Sequence, residues 1–277
     1  MSAVANASVP SQLLPQRVRH ATAVRRLRVL RSGRPSPGVV SLTLGGEALQ
    51  GFVSAAFDDH VKLMLPPQPG APLYLPELRD GRPLWPEGVS PEQRPVMRDY
   101  TPRHFDPLTL ELDLEFAVHG AGPAAEWALR ARPGDEVGLG GPKGSFVVPE
   151  GHDAYVLVGD DSALPAIARR LEELPAEAHA TVCIEVAHPE DQRGLSSRAR
   201  VDLRWVVRGD AAPGQALLQA VQGLPQPSRQ AYLWAAGEGR TMAAVREHWL
   251  AQGHPPALMR VAAYWKQGLP GHHENLG

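Results

Sequence analysis

Apolar and polar positions change rhythm near the middle of this chain. In the first half the apolar residues recur at every second position, the period of a half-buried strand. In "VRRLRVL", Leu27 and Val29 alternate with Arg26 and Arg28. "VVSLTL" is strand-like, and "HVKLMLP" sets Val61, Leu63 and Leu65 against His60, Lys62 and Met64. The longest case is "LTLELDLEFAVHG", which predicts one strand with Leu108, Leu110, Leu112, Leu114, Phe116 and Val118 on a shared face. Corners follow at Pro133-Gly134-Asp135 and Gly140-Gly141-Pro142. Strands with glycine and proline corners predict an antiparallel β-barrel. Residues 66–95 are rich in proline and read as a long functional or mobile loop.

The second half alternates strand and helix. "AYVLVG", "TVCIEVA", "LRWVV", "AYLWAAG" and "LMRVAAYW" are short apolar runs, as in strands covered on both faces. Between them "DDSALPAIARRLEEL" predicts a helix with an aspartate cap and a first-turn proline. "GQALLQAVQ" and "RTMAAVREHWLAQG" are further helices, the last ending at Gly253. This order implies an α/β domain with a parallel sheet. The expected plan is two-domain: a flexible tail over 1–16, a barrel over 17–150 and the α/β domain over 151–277.

Composition narrows the class. A chain of 277 residues is long enough for two cores. It has no apolar run of the roughly 20 residues that a membrane span needs. Cys183 is the single cysteine, so there is no internal disulfide and no cysteine-built metal site; a reducing, cytoplasmic setting is expected. A net charge of -2 argues against general nucleic-acid binding. The arginine-rich start lacks an apolar stretch after its twin arginine, so it reads as a strand with a solvated face and not as an export signal.

Candidate chemistry gathers around "MRDYTPRHF". Arg98 offers a charge for a pyrophosphate, Tyr100 a ring to stack on, Thr101 a hydroxyl for a ring heteroatom. The segment reads either as a turn with a charged rim or as a flavin dinucleotide seat. "HGAGPAAEWALRARPGD" adds glycines that lead into a helix with Pro123 in its first turn, either a packing device or an N-terminus that presents free N–H groups to phosphate. "VLVGDDSALPA" ends a strand and opens a helix, where α/β sheets bind nucleotides, although it lacks G-x-G-x-x-G. After "TVCIEVA", an acidic residue in "HPEDQRG" would favour NADH, whereas Arg193 could pair with the 2′-phosphate of NADPH. Of 28 basic residues only Lys62, Lys143 and Lys266 are lysines, a compact charge where the chain otherwise uses the arginine fork.

In the order "HVKLMLP", "RDYTPR", "HGAGPAAEWA", "PGD", "GPKGSF", "GDDSALPAIARRLEEL", "WAAGE", "YWKQG" and "HHE", the chain resembles the siderophore-interacting proteins, FAD-dependent ferric-siderophore reductases of the ferredoxin-reductase superfamily. The resemblance covers residues 17–274. It implies an FAD-holding barrel and a parallel-sheet domain for NADPH or NADH. It places Arg98, Asp99, Tyr100, Thr101, Phe116, His119, Gly120, Ala121, Gly122, Pro123, Ala124, Trp127 and Ser162 around FAD. It places Asp160, Asp161, Ser162, Ala163, Gly237 and Glu238 toward the nicotinamide. It makes Lys62, Lys143 and Lys266 a basic triad for an anionic, catecholate-type ferric siderophore. Ser162 stands where the family usually has threonine, and keeps the hydroxyl. The implied chemistry needs no protein metal ligand; adjacent His272 and His273 are poor joint ligands, and a proton-delivering role is the alternative for them. The rival function is a flavin reductase serving a protein or another small acceptor.

Overall fold

The computed structural model describes residues 9–118, 122–269, 271 and 273–276. The first half holds β1 (Gln16–Arg19), β2 (Val24–Ser36), β3 (Val39–Gly45), β4 (Val61–Leu65), β5 (Glu77–Arg79), β6 (Arg82–Leu84), β7 (Val96–Tyr100), β8 (His104–Asp106), β9 (Glu111–Ala117), α1 (Pro123–Arg130), β10 (Glu136–Gly140) and β11 (Gly144–Val147). Seven of these strands form one antiparallel sheet in the order β7-β4-β10-β2-β3-β9-β8. No ladder joins β7 to β8 among the described residues, so the expected barrel is an open sheet here. Period two dictates its core: Leu27, Val29, Val61, Leu63, Leu65, Leu112, Leu114 and Phe116 face inward. The proline-rich 66–95 stretch carries only the short β5–β6 hairpin and a 3-10 turn.

The long strand expected from Leu108 onward begins later, at Glu111. The Asp106 carboxylate accepts the Leu108 N–H at 2.8 Å, which makes a turn there, and Leu110 takes φ +54°. Leu108 is left 93% exposed. The tail expected over 1–16 is anchored within its described part, because Leu13 is buried; residues 1–8 lie outside the described residues.

The second half holds β12 (Tyr155–Asp160), α2 (Leu164–Glu173), β13 (His179–Val186), β14 (Arg200–Val207), α3 (Gln215–Gln222), β15 (Tyr232–Glu238), α4 (Gly239–Ala251), β16 (Met259–Trp265) and β17 (Glu274–Asn275). The sheet order is β14-β13-β12-β15-β16-β17. Its first five strands pair in parallel, and β17 closes the edge antiparallel to β16. Both faces are covered. Leu157, Val182 and Ile184 pack with α2, while Val158, Cys183 and Leu233 pack with α3 and α4. Cys183 is therefore a core residue; burial pushes its thiol up to about 11. Among the described residues no helix is long and apolar enough to cross a membrane.

Charged and polar side chains fasten the two sheets together. Arg169 of α2 donates to Ser54 Oγ at 2.8 Å, to Pro102 O at 2.9 Å and to Ser54 O at 3.0 Å. Arg103 holds Glu172 through two bonds of 2.8 and 2.6 Å, and Arg260 pairs with buried Asp58. Such bidentate contacts fix orientation as well as distance.

Candidate functional site

Between the two sheets lies a cavity of about 390 Å³. Its first wall comes from the antiparallel sheet: Asp99, Tyr100 and Thr101 at the end of β7, with Glu115 and Ala117 of β9. Its second wall is the carboxyl edge of the parallel sheet: Asp161 and Ser162 after β12, Arg208 after β14, and Tyr264 and Trp265 of β16. The parallel strands deliver these residues because their carboxyl ends all point the same way.

On the first wall the Tyr100 ring packs on Phe116 with centroids 4.3 Å apart, and Phe116 on Trp127 at 6.2 Å. Phe116 has no exposed surface, so it supports Tyr100 from behind and does not face the cavity. Burial raises the Tyr100 hydroxyl pKa, and it stays protonated. Thr101 is buried and shares the cavity lining with Tyr264 across the junction. Arg98 donates from Nη1 to Met97 O at 2.7 Å and pairs with no carboxylate among the described residues. Helix α1 starts at Gly122 with no side-chain cap, Ala124 turns into the core, and Pro123 and Trp127 line a second cavity of about 910 Å³ with the proline-rich segment. His119, Gly120 and Ala121 lie outside the described residues. An aromatic ring and a hydroxyl on the first cavity, an uncapped helix N-terminus on the second and a cation without an acidic partner among the described residues are donor groups a flavin dinucleotide uses. These residues fit FAD.

On the second wall Asp160 is fully enclosed and engaged. It accepts from Ser162 N at 2.9 Å, Glu238 N at 3.0 Å and Trp265 Nε1 at 2.8 Å. It thereby ties the ends of β12, β15 and β16 together. The expected aspartate cap of α2 does not form: the cap position is Ala163, itself buried, and the carboxylate serves this junction instead. Gly237 has φ +153°, and a Cβ there would stand 2.6 Å from Asp160 Oδ2, so only glycine leaves room. Glu238 caps α4 through Oε2, while Oε1 is buried with no hydrogen-bond partner among the described residues. Arg193 does not reach outward for a phosphate; it is bound to Glu115 of β9 and serves as a further tie between the sheets. Arg208 is the cation of this wall, 3.9 Å from Glu185.

Asp161 differs from its neighbour. Burial, then the adjacent Asp160 charge, push its carboxyl up to about 8, so at neutral pH it carries a proton. A carboxyl held up in the fold binds a proton that the unfolded chain has already lost, so stability falls as pH rises from the usual carboxylate range, about 4, toward 8. Asp161→Asn removes that penalty. Thermal melts are expected to show a small difference near pH 5 and a variant clearly more stable than wild type above about pH 8. A gap that stays constant across this range would contradict the assignment.

None of the three lysines lines the cavity itself. Lys62 is exposed on β4, with Nζ 2.6 Å from Asp99 Oδ1. Its strand partner on β10 is Gly140, and exposed Lys143 follows three positions later. Lys266 comes directly after cavity-lining Trp265. Sequence reasoning did not single out Tyr264, Trp265, Arg208 or His60 as cavity residues. The "YWKQG" motif was the available signal for the first two. His272 lies outside the described residues. Partial desolvation and then nearby His60 lower the His273 pKa, which leaves that ring neutral at pH 7 and speaks against a stored proton there.

An antiparallel-sheet domain, a following parallel-sheet domain and a cavity at their junction define the ferredoxin-reductase-like two-domain class. The ferredoxin reductase of carbazole 1,9a-dioxygenase shares this fold with TM-score 0.63 at 13% identity, over 86% of this chain and 66% of that one. Residues 28–146 match the siderophore-interacting FAD-binding domain, and residues 152–268 match the siderophore-interacting protein family. The NADPH-dependent ferric-chelate reductase of Escherichia coli is 37% identical over 91% of this chain and 96% of its own length. The ferric vibriobactin reductase of Vibrio cholerae is 35% identical over 88% and 90%. The crystal structure of a siderophore utilization protein from T. fusca superposes with TM-score 0.84 at 35% identity, covering 93% of this chain and 98% of that one. The chain belongs to the siderophore-interacting protein family.

Proposed function

We propose that this chain is a ferric-siderophore reductase that uses FAD and NADPH, acts in the cytoplasm and releases Fe(II) from an anionic, catecholate-type chelate. The observation that carries this reading is the junction cavity. It has one wall from β7 with Tyr100 and Thr101, a second from the carboxyl edge of the parallel sheet, and Lys62 ion-paired to its lining residue Asp99. The domain division falls near residue 150. NADPH in preference to NADH rests on the E. coli relative's name, because Arg193 is engaged elsewhere.

FAD, when bound, accepts hydride from the nicotinamide and hands electrons singly to Fe(III). The protein's residues do the rest. Arg98 and the N-terminus of α1 hold the pyrophosphate, and Tyr100 and Thr101 orient the ring system. Asp161 donates a hydrogen bond from its neutral carboxyl. Ser162 is fixed by Asp160 and presents the cavity's second wall. Asp160, Phe116, Ala124 and Ala163 act by positioning, since each is buried. Gly237 and Glu238 shape the nicotinamide side. The lysines raise the local concentration of an anionic chelate. Tyr264 and Trp265 close the cavity against water.

Purified protein incubated with FAD and desalted is expected to show the visible spectrum of an oxidised flavin, and to bleach anaerobically on addition of NADPH. A colourless protein after that treatment would contradict the reading.

A further inference from the structure

Three metal-ligating side chains meet at the mouth of the cavity from three distant parts of the chain. His60 precedes β4, Asp99 lies in β7 and His273 precedes β17. Their imidazole nitrogens and carboxylate oxygen lie within 4.8 Å of one another. The imidazole rings stand edge to face with centroids 4.9 Å apart, and His273 Nδ1 is 3.8 Å from Asp99 Oδ2. At that length the His273–Asp99 contact is not a hydrogen bond, so hydrogen bonding between this pair does not explain the cluster. All three residues line the cavity.

Two imidazoles and one carboxylate with the remaining positions open are the donor set that suits Fe(II). A structural zinc site would need a closed set of four ligands, and among the described residues this cluster has three. Fe(III) favours hard oxygen donors and stays with the chelate, whereas imidazole suits the softer ferrous ion. We propose that His60, Asp99 and His273 form a receiving site for Fe(II), which takes the ion as it leaves the reduced chelate. This rests on the proposed function for the origin of the ion.

The step is a ligand exchange and moves no electrons: Fe(II) trades chelate oxygens for two imidazole nitrogens, one carboxylate oxygen and water. Metal–ligand bonds are about 2.0–2.2 Å, so the three side chains draw together by roughly an ångström. His60 and His273 are exposed and free to do so. Lys62 fits the same scheme. Its Nζ is 2.6 Å from Asp99 Oδ1, yet that oxygen has no aligned hydrogen bond. Lys62 neutralises Asp99 while no metal is present. An arriving cation takes over that role, and Lys62 turns its charge to the iron-free chelator, which is still anionic. The site so couples loss of iron to retention of the ligand that carried it. His273 so acts with partners from the other sheet.

The test is anaerobic equilibrium dialysis of the FAD-loaded full chain against ferrous ammonium sulfate, without chelate or NADPH, with Co(II) as a visible probe in parallel. Saturable binding of about one ion per chain is expected. His60→Ala, His273→Ala and Asp99→Asn should each weaken it about tenfold or more, and His104→Ala should not. The absorption bands of bound Co(II) should be lost in the same three variants. No saturable binding, binding that survives all three substitutions, or binding of Zn(II) but not Fe(II) would overturn the proposal. Reduction of the ferric chelate is measured separately on the wild type, with an external Fe(II) trap. A protein that reduces the chelate but binds no Fe(II) contradicts this inference alone. One that binds Fe(II) but reduces no chelate contradicts the function.

Discussion

Replacing Arg98 by alanine is expected to strip the protein of bound FAD on desalting. Arg98 is pre-oriented by its bond to Met97 O, and the backbone of Gly271 lies close to its guanidinium. No carboxylate among the described residues neutralises it, so its charge is available to a pyrophosphate. A charge-assisted hydrogen bond is worth about 1.5–3 kcal/mol, or roughly 10- to 150-fold in the FAD dissociation constant. Arg98→Lys keeps the charge but loses the fork, and should fall between. Tyr100→Ala should also lose FAD, whereas Tyr100→Phe keeps the ring that rests on Phe116 and should retain it. Flavin content after extensive dialysis, read by absorbance, checks all four variants. Wild-type content in Arg98→Ala would move the pyrophosphate elsewhere.

Changing Lys62, Lys143 and Lys266 together to alanine should raise the apparent KM for a ferric tris-catecholate about tenfold or more at low salt. The lysines act by summed potential, so the effect should shrink as salt is added, and a near-neutral ferric hydroxamate should be much less affected. The singles should not be equal. Lys62→Ala leaves Asp99 uncompensated at the rim, because its ion pair of 2.6 Å is removed. It should therefore exceed Lys143→Ala. Flavin reduction by NADPH, followed alone by stopped flow, should be nearly unchanged in the triple variant, since it precedes any contact with iron. Equal increases for the anionic and the neutral chelate would contradict the electrostatic account.

Much of the fold could be read from local periodicity, because period two and the strand–helix alternation are properties of neighbouring residues. Leu112, Leu114 and Phe116 face the core as their spacing demands. Leu108 does not, because one side-chain bond from Asp106 converts the strand start into a turn. Asp160 shows the same limit. An acidic residue before a helix reads as a cap, but burial and donors from β15 and β16 gave it another task. The site was legible where a motif is continuous, as in Arg98-Asp99-Tyr100-Thr101. It was not legible where partners come from afar. Nothing local in "HPEDQRG" tells that Arg193 meets Glu115 in the other sheet. Nothing local tells that His60, Asp99 and His273 share one corner, since spacing along the chain carries no record of which segments the junction brings together.

The most direct test of the account is anaerobic turnover of the FAD-loaded protein with NADPH and either a ferric siderophore or a protein acceptor such as an oxidised ferredoxin. With the ferric siderophore, NADPH consumption should proceed in step with appearance of Fe(II) in an external trap, and with the protein acceptor it should stay at background. Rapid reduction of the protein acceptor with no Fe(II) formed from the siderophore would contradict it.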